Sequence, residues 1–147
     1  MTDPKVRRSI AYAAVAWAIV FGAPHLWWGL GISFGFPGGK ESYELFTSSA
    51  WRIVYDWVVV VMCALAIVIV LTLQKPTGGV VRRKIPMVLC WFASGILLFR
   101  AIAGFIFDGT NDLLWNPVFL TGGLLMGAVA WTSRTPRTAI APAASTR

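Results

Sequence analysis

Four stretches of this chain, 9–31, 51–73, 85–107 and 114–133, each run for at least 20 residues, and between them they hold only Arg52, Asp56 and Arg100 as charged side chains. At a rise of about 1.5 Å per residue, an apolar helix of that length matches the ~30 Å hydrocarbon core of a bilayer. The chain is 57% hydrophobic and 13% charged over 147 residues. An average soluble domain carries roughly 25% charged residues, so a soluble monomer of this size has too little polar surface to hide so much apolar area. The expected fold class is all-α, an integral membrane up-down four-helix bundle in which short connections make consecutive spans antiparallel neighbours.

The formal net charge is +7, which elsewhere suggests neutralisation of nucleic-acid phosphates. Here the basic residues flank the apolar stretches instead. Lys5, Arg7 and Arg8 precede the first, Lys75, Arg82, Arg83 and Lys84 lie between the second and third, and Arg134, Arg137 and Arg147 follow the fourth. Lys40 is the one basic residue of the two remaining loops, whereas Glu41, Glu44, Asp108 and Asp112 fall there. The positive-inside rule then places both termini and the middle loop in the cytoplasm. With the charge bias explained by topology, the expected location is the plasma membrane, with multiple passes, and no nucleic-acid partner is expected.

Along the chain, residues 1–8 read as a cytoplasmic lead, 9–133 as a membrane domain with spans at about 9–31, 50–74, 85–107 and 114–133, and 134–147 as a disordered cytoplasmic tail. The first span follows a basic segment, as a signal peptide does, but its apolar run exceeds the usual ~7 to 15 residues, so it reads as an uncleaved helix. The outer loop 32–49 interleaves aromatic residues with glycine and glutamate, which suits the headgroup interface. Ser48 and Ser49 are candidate caps for the helix that follows. Pro24 is expected to kink the first helix. Trp residues near the span ends read as interfacial anchors.

Membrane helices associate through small residues and through polar groups hidden from lipid. Ala14, Ala18, Gly22, His25 and Gly29 form such a stripe in the first span, and Arg52, Asp56, Cys63 and Ala66 in the second. The third supplies Ala93, Arg100, Ala103 and Gly104, and the fourth supplies Asn116, Gly123, Gly127 and Ala130. His25, Arg52, Asp56, Arg100 and Asn116 all fall in the outer half of their spans by rise per residue, so they form one candidate polar layer. The inner half offers nothing comparable in the sequence.

A charge within a bilayer is costly, so these groups must pair or face water. Two readings stay open. In one, Asp56 pairs with Arg100 or Arg52 while His25 and Asn116 complete a hydrogen-bonded network that sets helix register. In the other, the layer floors an outward-facing cavity for an anionic or polar ligand, or His25 and Asp56 relay protons, with Trp28 as a cavity wall.

Other chemistries lack their residues. One histidine and the two separated cysteines, Cys63 and Cys90, do not make a zinc set, and no axial pair for haem is present. Cys63 and Cys90 lie at different depths and read as core residues, not a disulfide. Gly35-Phe36-Pro37-Gly38-Gly39-Lys40-Glu41 has Glu41 where a phosphate loop needs Ser or Thr. No nucleophile with an adjacent base can be identified, so no enzymatic role and no cofactor are expected. The functional expectation is an accessory or scaffold protein in contact with lipid, another membrane protein or further copies of itself. The alternative is a small-solute or proton-linked carrier.

His25-Leu26-Trp27-Trp28-Gly29-Leu30-Gly31 resembles the His-x-x-Trp-x-x-Gly signature in the first span of a family of small four-helix bacterial membrane proteins of unknown function. Phe99-Arg100-Ala101-Ile102 and Trp115-Asn116-Pro117-Val118 resemble that family's third and fourth helices. The resemblance covers about residues 10–131. It implies an integral membrane protein and no particular activity.

Overall fold

The computed structural model describes residues 3–75, 80–107 and 114–134, with the backbone alone at 80–82. The described residues are mostly helical and contain no strand. In chain order the helices are α1 (Pro4–Gly29), α2 (Gly39–Thr47), α3 (Ala50–Gln74), α4 (Val80–Phe107) and α5 (Trp115–Thr132). The expected middle-loop break after Lys75, the acidic loop 108–112 and most of the tail lie outside the described residues.

Local chemistry sets several helix ends. The Asp3 carboxylate accepts from the Lys5 backbone N–H at 2.8 Å, and Pro4 occupies the first helical position. This cap starts α1 five residues ahead of the expected span, because an N-cap carboxylate and a proline with preset φ satisfy a helix start wherever they fall. The helix then runs unbroken through Pro24 to Gly29. At the far end of α3, Lys75 is extended, as expected of a residue that precedes proline. Ser49 takes the N-cap position of α3 without a side-chain bond, while the Ser48 hydroxyl donates to the Leu45 carbonyl at 2.7 Å. The two serines therefore do not cap α3 through their side chains.

The segment expected to be an outer loop contains a helix. Gly38 holds a left-handed φ of 83° that permits the tight entry to α2. Glu41 in the first turn meets the positive end of the helix dipole. One face of α2 is anchored inward by Tyr43, whereas Leu45 is exposed.

Pro4–Gly29, Ala50–Gln74 and Arg83–Phe107 are each long and apolar enough to cross a membrane. The sequence reading expected a fourth span at 114–133, and α5 is not among the helices that qualify. It has 18 residues, with Asn116 and Pro117 in its first turn and Gly122, Gly123 and Gly127 along its length. Those residues lower its apolarity while making it the most closely packed partner of α4.

The long helices associate in a cycle of neighbours. The α1 helix packs on α3 and on α5, and α4 packs on α5 and more lightly on α3, while α2 touches α3. Large apolar side chains face outward along every long helix, among them Val20, Val68, Phe92, Phe99 and Leu124. The buried side is built from small residues, as in helix association without a hydrophobic driving force. Towards the chain's N-terminal end, Ala11 and Ala14 pack with Val70, Leu73, Cys90, Met126, Val129 and Ala130. Above them, Ala18, Phe21 and Cys63 form a second cluster flanked by Trp17, Trp115 and Phe119. Cys63 and Cys90 are both free thiols.

Glycines mark the closest helix approaches. A β-carbon on Gly22 would stand 3.0 Å from Cβ of Cys63, at the crossing of α1 and α3. A β-carbon on Gly122 would collide with the Trp17 indole, and one on Gly123 would stand 2.7 Å from Cγ of Leu98. Trp17 is held there by stacking on Phe21 at 5.2 Å and by donating to the Val118 carbonyl at 3.0 Å. It therefore bridges α1 and α5.

Candidate functional site

Where α1 ends and α3 begins, the two helices bring His25 and Asp56 together. Both are buried, Asp56 to 1% exposure, and His25 Nδ1 lies 2.8 Å from Asp56 Oδ1. The contact is made through Nδ1, with either the ring N–H donating to a carboxylate or a carboxyl O–H donating to the ring, and the other ring nitrogen is turned away from the acid. Their positions follow from the sequence: both lie on the small-residue faces of their helices, and Asp56 Cβ would stand 3.6 Å from a β-carbon on Gly29. That close approach of α1 and α3 lets a short aspartate reach the ring.

Aromatic residues surround the imidazole. Its centroid lies 5.2 Å from Phe21, 5.1 Å from Trp28 and 5.9 Å from Tyr55, all with edge-to-face geometry, and 6.4 Å from Trp115. Such pairs favour one ring orientation. Trp28 is itself fixed: its indole N–H donates to the Phe34 carbonyl at 3.3 Å, and its ring meets Phe36 at 5.1 Å.

The segment carrying α2 closes over this end. The Tyr43 hydroxyl donates to the Trp28 carbonyl at 2.8 Å, and Phe36 packs against Tyr43 and Phe46. Nothing in the spacing of 32–49 singled out Tyr43; its role depends on α2 folding back onto α1.

On the other side of the site, α4 and α5 bring Arg100 and Asn116 together beside Gly104. A β-carbon on Gly104 would run into the Asn116 carboxamide and stand 2.6 Å from Nη1 of Arg100. The Arg100 guanidinium also lies 5.2 Å over the Phe119 ring. Asn116 is fully buried, and neither its amide oxygen nor its amide nitrogen has a hydrogen-bond partner among the described residues. The same is true of Asp56 Oδ2. A buried polar atom left unpaired costs about 1–3 kcal/mol, so these three atoms are where the polar layer is left unsatisfied among the described residues.

Of the six residues singled out in the sequence, His25, Asp56, Trp28 and Asn116 are buried at this end, and Arg100 is partly buried beside Asn116. Arg52 stands outside the layer. It is exposed, lies 5.4 Å over the Phe46 ring and reaches the Leu45 carbonyl at 3.4 Å. Placed in the first turn of α3, its long side chain reaches α2 instead of turning inward towards Asp56.

The other half of the protein is less bare than the sequence suggested. Ser94, Thr132, Ser133 and Arg7 are all buried there. Ser94 donates to the Gly123 carbonyl at 2.7 Å, joining α4 to α5, and the Arg7 guanidinium donates to the Leu73 carbonyl at the C-terminal end of α3. A cation at that end also meets the negative pole of the helix dipole. Among the described residues no group of three or more His, Cys, Asp or Glu side chains is arranged to hold a metal ion.

Compared with protein-family models, characterised proteins and solved structures, the chain finds no match in any of the three.

Proposed function

We propose that the chain is a multi-pass plasma-membrane protein with four membrane-embedded helices and both termini in the cytoplasm. In this reading it serves as a non-enzymatic accessory or scaffold protein, and the polar layer is a helix staple. The observation that carries the reading is the hydrogen bond between His25 and Asp56, buried at the junction of α1 and α3. A paired carboxylate on one helix and imidazole on the next fixes both register and rotation, since any other arrangement strands a polar group in lipid. The outward large apolar residues and the basic flanks of α1, α4 and α5 support the membrane placement. The His-x-x-Trp-x-x-Gly pattern, shared with a four-helix membrane family of unknown function, agrees with it.

A second reading, a small-solute or proton-linked carrier, is favoured by the unpartnered Asn116 amide and Asp56 Oδ2. Native mass spectrometry of gently extracted protein separates the two. A scaffold retains a protein partner or further copies of itself, and its melting temperature is insensitive to small solutes. A carrier retains a small polar ligand that raises its melting temperature, and Asp56→Asn combined with Arg100→Gln abolishes that increase.

A further inference from the structure

At the end opposite α2, several buried hydrogen-bond donors have no acceptor among the described residues. Nε and Nη2 of Arg83 are buried without a partner among the described residues, as are the indole nitrogen of Trp91 and the hydroxyl of Ser133. Ser133 is only 2% exposed. The Arg134 guanidinium lies 4.8 Å over the Trp91 ring and 5.2 Å over the Trp131 ring, so a cation is held beside the orphaned indole N–H.

The helix register brings these groups to the same end of α4 and α5, with Trp91 eight residues, about 12 Å, further along α4 than Arg83. Positions that face each other across α4 and α5 include Gly104 with Asn116, Leu98 with Gly123 and Ser94 with Gly127. Continuing that antiparallel register at 1.5 Å per residue puts Arg134 within about one helical turn of Arg83 along α4. Lys84 adjoins them, and α1 and α4 both direct their N-terminal, positive ends this way. The α2 end differs in kind, because there the unpaired atoms include the Asp56 carboxylate oxygen and the Asn116 amide oxygen, both acceptors. Here the nitrogen groups can only donate, Ser133 has a hydrogen to give, and the fixed charges are cationic.

We propose that Arg83, Trp91, Ser133 and Arg134 form a binding site for a phosphate oxyanion, and that its occupant is the phosphodiester headgroup of an anionic membrane phospholipid. The phosphate supplies acceptors for the Arg83 fork, the Trp91 indole and the Ser133 hydroxyl, while its glycerol and acyl chains lie along the apolar outer faces of the helices. Arginine suits this role because its planar donors match two phosphate oxygens at once. Basic sites where helices meet the inner leaflet are where anionic lipid headgroups collect. The source of the phosphate rests on the membrane topology proposed above.

The test uses full-length protein in mild detergent, titrated with short-chain phosphatidylglycerol, short-chain phosphatidylcholine or inorganic phosphate, and read by native mass spectrometry and thermal melting. Phosphatidylglycerol should bind more tightly than phosphatidylcholine. Arg83→Gln with Arg134→Gln should weaken phosphatidylglycerol binding about thirtyfold, as expected for two basic residues at a membrane surface, and Lys40→Gln at the other end should change nothing. If the double glutamine variant does not fold, Arg83→Lys with Arg134→Lys keeps the charges but loses the fork, and should still weaken binding. Phosphatidylglycerol binding that is unchanged in a folded variant of either pair overturns the site. Inorganic phosphate binding as tightly as phosphatidylglycerol, with the same arginine dependence, overturns the lipid assignment. Reporter fusions in the middle loop separate the two proposals: arginine-dependent lipid binding with an external reporter leaves the site intact and refutes the topology, whereas arginine-independent binding with a cytoplasmic reporter refutes the site alone.

Discussion

His25 and Asp56, 31 residues apart in the chain, meet at 2.8 Å between two close approaches of α1 and α3, at Gly22 and at Gly29. The pair lies beneath Trp28 and the α2 segment, with Phe21 on the inner side and Tyr55 and Trp115 around the ring. One polar contact is thus sealed by aromatic residues from α1, α3 and α5. This arrangement restricts the two helices to one register, and consequences of the surrounding packing can be measured.

Glycine substitutions should sort by what a β-carbon meets. Gly104→Ala forces the β-carbon into the buried Asn116 amide and Arg100, and Gly122→Ala forces it into the Trp17 indole. Each should destabilise by about 1–3 kcal/mol, the range for overpacking a filled interior. Gly95 has open space around it, so Gly95→Ala should be neutral or stabilise by up to about 1 kcal/mol through helix propensity. Unfolding in mixed micelles reports all three, and a loss at Gly95 equal to that at Gly104 would contradict the packing.

Removing the Tyr43 hydroxyl should loosen α2 without unfolding the long helices. Tyr43→Phe deletes the bond to the Trp28 carbonyl, worth about 1 kcal/mol, and leaves the ring's contact with Phe36 in place. Hydrogen exchange should quicken in Gly39–Thr47 while His25 and Asp56 keep their protection. Uniform loss of protection across α1 and α3 would show that α2 is integral to the bundle and not docked onto it.

Topology follows from the basic flanks. Reporter fusions at Gly79 should read cytoplasmic and fusions at Gly39 external. The opposite pattern would place the His25 layer in the inner half of the membrane.

Much of this was legible in the sequence because small residues and polar residues shared one face. Ala14, Ala18, Gly22 and His25 recur at helical spacing, and all four are buried. Asp56 and Asn116 fell on equivalent stripes and are buried too. Arg52 shared the Asp56 stripe by spacing, but in the first turn of a helix a long side chain has neighbours outside the bundle, here Phe46 and the Leu45 carbonyl. The α2 helix was not legible, since its apolar residues point both ways: Tyr43 faces inward and Leu45 outward. α5 was read as a fourth apolar span from its lack of charge; at 18 residues, with Asn116 and Pro117 in its first turn, it is not among the described helices that qualify by length and composition. The donors of Arg83, Trp91 and Ser133 carry no sequence signature as a group, because α4 and α5 bring them together only after antiparallel packing.

The most direct measurement is a double-mutant cycle on His25 and Asp56, using His25→Leu, Asp56→Leu and the combined variant, with unfolding free energies taken in mixed micelles. A staple predicts that each single change strands the other polar group, and that the double variant recovers part of the loss. The resulting coupling should be about 1–2 kcal/mol, the range of strong hydrogen bonds between membrane helices. Single losses that simply add in the double variant, to within about 0.5 kcal/mol, would show that the two residues do not act as a pair.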